Sequence, residues 1–132
     1  VGLPITLSVV AIAVGRRLGV HVDGIGLPGH FVIGDGSGNR FADPFNGGEL
    51  HDAVSLSAAW QRITSSPTPA TRSMLAATPA RSIALRMLNN LARVFTRLDD
   101  PVALHTLARL RGAFAELDHE AAERSRWVRY FN

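Results

Sequence analysis

The chain predicts an α+β fold, because one long apolar segment and three short strand-like segments precede a second half that is helical in its periodicity. Its 132 residues, 46% of them hydrophobic, suffice for one compact core and are too few for two ordinary domains. The polar, proline-bearing stretch TSSPTPATRS marks a change of character at residues 64 to 73. The expected organisation is therefore a mixed core over residues 1–63, a linker over 64–78 and a helical region over 79–132.

The first element is PITLSVVAIAVGRRL, residues 4 to 18, which is apolar on nearly every side. Pro4 suits a first helical turn, Arg16 and Arg17 suit the negative C-terminal end, and Gly19 suits a left-handed cap. A buried helix is predicted, although Val9, Val10 and Val14 favour a strand. The run from Ile5 to Val14 is shorter than the roughly 18 apolar residues of a membrane span, and no basic region precedes it as in a signal peptide. Beginning at Val1 without a methionine, the chain reads as a fragment.

Three strand-like segments follow: His21 to Gly26, His30 to Gly34 and Arg40 to Pro44. Leu27-Pro28-Gly29 and Asp35-Gly36-Ser37-Gly38 separate them, the second being a strong turn signal. If those four residues form the loop, Gly34 faces Asn39, Val32 faces Phe41, and His30 faces Asp43 within reach of a hydrogen bond. A slip of one residue would send the pair to opposite faces. The run DPFNGG, residues 43 to 48, closes with another turn.

A helix is expected over Ser55 to Ile63, with Leu56, Trp60 and Ile63 on one face and serines capping its start. Thr78-Pro79 opens another, whose face is marked by Ala84, Leu88, Leu91, Phe95 and Leu98. Asp100-Pro101 starts a third, with Leu107, Leu110, Phe114 and Leu117 inward, and these two are expected to form an antiparallel hairpin. A last helix from His119 to Phe131 is capped by Asp118.

There is no cysteine, which excludes disulfides, thiolate zinc sites and thiol nucleophiles. All fourteen basic residues are arginine, scattered without the clustered patch that nucleic-acid binding needs. His30 and Asp43 have the types required for a general base and its orienting carboxylate, and equally for a structural hydrogen bond. His21, His105 and His119 are weaker candidates, and His51 is placed with Asp52 in a surface loop. A metal set of His30, Asp43, His51 and Asp52 lacks a local ligand motif, so neither metal nor cofactor is expected.

The segments GLPITLSVVAIAVGRRLGV, DGIGLPGHFVIGD and RFADPFNGGEL, over roughly residues 2 to 50, resemble the transglutaminase-like family of bacterial SirB-type proteins. The likeness lies in the PI(S/T)LS helix, the LPGHF strand and the DPFNGG turn, and residues Arg81 to Phe131 look like that family's tetratricopeptide-like C-terminal part. The resemblance implies a papain-like transglutaminase core, with a buried helix packed on a small antiparallel sheet and, after it, a helical hairpin and one further helix. It also implies His30 as base, Asp43 as orienter, and Pro4 where active members carry the cysteine.

The implied protein is a degenerate, cytoplasmic transglutaminase-like pseudoenzyme acting through binding. Pro28, Gly29, Asn46, Gly47 and Gly48 would line its binding surface, and the C-terminal helices would dock a protein partner; neither membrane nor nucleic acid is an expected partner. The alternative is an amide hydrolase or acyl transferase in which Thr6 or Ser8 replaces the thiol, assisted by His30 and Asp43. An alcohol is a much weaker acid than a thiol, so that route demands far stronger base assistance.

Overall fold

The computed structural model describes residues 4–114. Its contacts divide the chain into two compact units, Val1–Ile83 and Ala84–Asn132, the division falling inside a helix.

The first unit opens with α1, Pro4–Arg17. Arg16 and Arg17 occupy its last turn and Gly19 takes the left-handed conformation, φ 71°, that ends it. A glycine sits inside this helix for a steric reason. A Cβ on buried Gly15 would lie 2.8 Å from Val22 Cγ2 and 3.2 Å from the Val20 carbonyl oxygen, because the chain leaving α1 folds back over that point.

The expectation of a helix buried all round is corrected by the structure. Ile5 and Ser8 are buried, but Leu7, Val10 and Val14 are 40%, 55% and 49% exposed. The cause is one-sided packing: α1 rests on the first two strands and on a 3-10 turn, leaving the stripe at positions 7, 10 and 14 open.

Four strands form one antiparallel meander: β1 (Asp23–Ile25), β2 (Val32–Gly34), β3 (Phe41–Asp43) and β4 (Glu49–His51), in that spatial order. The expected strands are present in shortened form, and β4 is an addition. It gives little signal, since its one apolar residue, Leu50, points outward and is 82% exposed.

The β2–β3 register also differs. Gly34 pairs with Phe41 and Ile33 with Ala42, so the loop runs over residues 35–40 and not over the four residues expected. Asp35 organises the longer loop, accepting from the Ser37 backbone at 2.9 Å and from its hydroxyl at 2.5 Å. The displacement is two residues, an even number, so every side chain keeps its predicted face.

Helix α2 spans Ala53–Thr64 and is capped by Asp52, not by a serine. Ser55 instead completes a capping box, its backbone donating to Asp52 Oδ1 at 2.7 Å while its hydroxyl receives the Asp52 N–H at 3.0 Å. Leu56 and Trp60 meet Ile25, Leu27, Val32 and Phe41 in the main core, whereas Ile63, expected on the same face, is 50% exposed.

Segment 64–78 is bound closely to this core. Ala70, Met74 and Leu75 pack against it, Ala70 N–H donates to Ser57 Oγ at 2.8 Å, and Thr78 clasps the end of β1. The clasp is double: Thr78 N–H donates to the Gly24 carbonyl at 2.7 Å, and its hydroxyl accepts from Gly26 N–H at 2.8 Å.

Helix α3, Ala80–Arg97, runs from the first unit into the second, and α4 covers Pro101–Arg111. Asp99 turns the chain in a left-handed conformation, φ 51°, and Asp100 caps α4 by accepting from Ala103 N–H at 2.9 Å. Pro101 occupies the position expected for it. Leu117 and the helix predicted over His119 to Phe131 lie outside the described residues.

Candidate functional site

The turn Leu27-Pro28-Gly29 delivers His30 to the sheet. Gly29 adopts φ 72°, His30 N–H donates to the Leu27 carbonyl at 3.1 Å, and Trp60 Nε1 donates to the Pro28 carbonyl at 2.8 Å. A large side chain of the core thus fixes the turn that carries the imidazole.

Asp43 ends β3 and is also the cap of the 3-10 turn Pro44–Asn46. Its Oδ1 accepts from Phe45 N–H at 3.0 Å and Asn46 N–H at 3.2 Å. Its Oδ2 accepts from the Asn46 side-chain amide at 2.7 Å and lies 2.6 Å from His30 Nε2. An ionised carboxylate has no proton to give, so Nε2 is the donor and the ring is held in one tautomer. Both side chains are only 4% exposed.

Burial opposes ionisation of Asp43 and is the largest single influence on it. The bonds from His30 and Asn46, with the attraction of the imidazole and the Asn46 backbone, together outweigh burial and hold the carboxyl below its ordinary pKa.

The structure therefore gathers His30, Asp43 and Asn46 into one unit. Asn46, expected as part of a binding surface, is engaged in orienting Asp43. Gly47 and Gly48 follow with φ of 71° and 79°, both exposed, and Gly48 N–H returns to the Asp43 carbonyl at 2.8 Å. Pro28 contributes its carbonyl to Trp60, and a Cβ on Gly29 would meet Thr64 Cγ2 at 3.3 Å.

The two candidate hydroxyls fall in different surroundings. Thr6 is exposed on α1. Ser8 is fully buried and its hydroxyl donates to the carbonyl of Phe31, the residue after His30, at 3.4 Å. Pro4, at the start of α1, is half-buried.

His51 is a correction. It is not in a surface loop but on β4, with a side chain 5% exposed, facing the same side of the sheet as Asp43 because Phe41 pairs with His51 and Asp43 with Glu49. The Gly-Gly turn before Glu49-Leu50-His51 is the signal that would have extended the meander by one hairpin. Among the described residues, no three His, Asp or Glu side chains are grouped so as to hold a metal ion.

A short meander presenting a buried His–Asp pair beside a helix defines the class. The chain belongs to the transglutaminase-like superfamily, whose family model matches residues 1–89. Among particular relatives it is similar to two curated proteins named UPF0162 protein from Xylella fastidiosa. It is 38% identical to that of strain Temecula1 over 103 residues, covering 74% of this chain and 37% of the relative. With that of strain 9a5c it shares 38% identity over 99 residues, covering 71% and 35%. The chain thus spans little more than a third of the length of these relatives. No solved structure gives a significant match.

Proposed function

We propose that the chain is a SirB-type, degenerate transglutaminase-like domain that works by binding and not by turnover. The observation that carries this reading is a complete, buried His30–Asp43 pair in a chain without any cysteine. The base and its orienter need an attacking atom, and Pro4 occupies the place the resemblance gives to the thiol.

Neither hydroxyl is a ready substitute. Ser8 Oγ is shielded from solvent and committed to the Phe31 carbonyl, and Thr6 lies on the exposed side of α1. A serine nucleophile requires its oxygen to be free for substrate and bonded to the base. The pair then serves as a brace between the Pro28-Gly29 turn and the Asn46-Gly47-Gly48 turn, whose backbone groups form the binding surface.

Partner docking belongs to the C-terminal helices in this reading, supported by Val102 and Leu110 on α4, which are 75% and 56% exposed. The cytoplasm is the proposed compartment. It fits a chain without cysteine, and among the described residues no helix is long and apolar enough to cross a membrane.

A fluorophosphonate probe separates binding from acyl transfer. No labelling is expected of the native chain. Covalent labelling that disappears in His30→Ala and in Ser8→Ala would establish the hydrolase or acyl-transferase alternative instead, for which the short His30–Asp43 bond is the supporting observation.

A further inference from the structure

One face of the sheet and one face of α2 border an open cavity of about 270 Å³, lined by Asp43, Asn46, Glu49, His51, Ala59 and Arg62. The register explains the meeting. Asp43, Glu49 and His51 share one face because Asp43 pairs with Glu49 and Phe41 with His51, while Ala59, Arg62 and Ile63 recur at helical spacing.

His51 is the informative residue. Its side chain is 5% exposed, yet among the described residues its ring makes no hydrogen bond. The nearest charged group is Glu49, whose Oε2 is 3.8 Å from Nε2, beyond hydrogen-bond reach. The His51 ring nitrogens are not sealed from solvent, so a ligand entering the cavity can reach them. A third group that donates to both would span the gap between Nε2 and Oε2.

A primary ammonium has that chemistry, with three donors and a charge opposite to that of Glu49. Arg62, exposed at the rim, presents a guanidinium suited to a carboxylate, and Ala59 with Ile63 supplies an apolar wall. We propose that this cavity binds a small zwitterion of the α-amino-acid type. Its ammonium bridges Glu49 and His51, its carboxylate faces Arg62, and a short aliphatic side chain lies on Ala59 and Ile63. Occupancy requires no chemistry at His30.

The test is a titration of the full chain with L-leucine, followed by the imidazole signals of His51 in proton–carbon correlation spectra and by calorimetry. Isovalerate and isoamylamine serve as the two half-ligands. Leucine is expected to move the His51 signals at millimolar concentration, and each half-ligand to bind at least about ten-fold more weakly. Glu49→Gln and Arg62→Gln alter exposed side chains and leave folding intact, and each is expected to weaken leucine binding by about ten-fold or more. Unmoved His51 signals, equal binding of either half-ligand, or indifference to both substitutions would overturn the assignment.

Discussion

Asp43 joins two tasks in one carboxylate: Oδ1 closes the 3-10 turn through two backbone N–H groups, and Oδ2 receives the Asn46 amide and His30. Because burial resists its charge while these bonds favour it more, the folded-state pKa lies below the unfolded one. Its contribution to stability is therefore fully present above the unfolded value of about pH 4 and declines as pH falls through the folded value. Asp43→Asn keeps the shape and removes the charge. It is expected to be less stable than the native chain at neutral pH and to lose less stability on acidification, as read by urea unfolding across the acid range. An acid limb identical to that of the native chain would show that the carboxylate is not the source. The pair itself was legible in the sequence, since a register shift of two residues preserves the face on which His30 and Asp43 meet. The role of Asn46 was not, because it depends on a 3-10 turn that brings its amide back three residues to the carboxylate.

At the scale of elements, α1 sets propensity against packing. Alanine is a better helix former than glycine by about 1 kcal/mol, which favours Gly15→Ala in isolation. The added methyl would meet Val22 Cγ2 at 2.8 Å and the Val20 carbonyl at 3.2 Å, and such overpacking costs about 1 to 3 kcal/mol. A net loss in thermal stability is expected despite the gain in propensity. A rise in melting temperature would mean that the Val20–Val22 segment yields readily. The long elements were legible because periodicity and caps agreed, as at Asp100-Pro101. Strand β4 was legible only through the Gly-Gly turn before it, for three residues with an outward Leu50 carry no alternation to read. The cap of α2 was misassigned for a related reason: Asp52 and Ser55 are both good capping residues, and their reciprocal bonding decides which stands outside the helix.

For the molecule as a whole, the least legible property was which apolar surface would be covered. An all-round apolar helix reads as core, yet Leu7, Val10 and Val14 remain open because α1 is packed along one side. Val10→Glu is expected to change stability by no more than about 0.5 kcal/mol, as surface substitutions do. The same change is expected to lower binding of the hydrophobic dye ANS and to reduce self-association in sedimentation. Unfolding caused by Val10→Glu would show instead that the stripe is shielded in solution. The meander has a different consequence. Each strand pairs with its neighbour in the chain, across connections running over residues 26–31, 35–40 and 44–48. Contact order within the sheet is therefore low, and closing such short loops takes well under about a microsecond. Sheet assembly is then expected to zip from one hairpin to the next, with the Thr78 clasp, more than fifty residues downstream of β1, as its long-range closure.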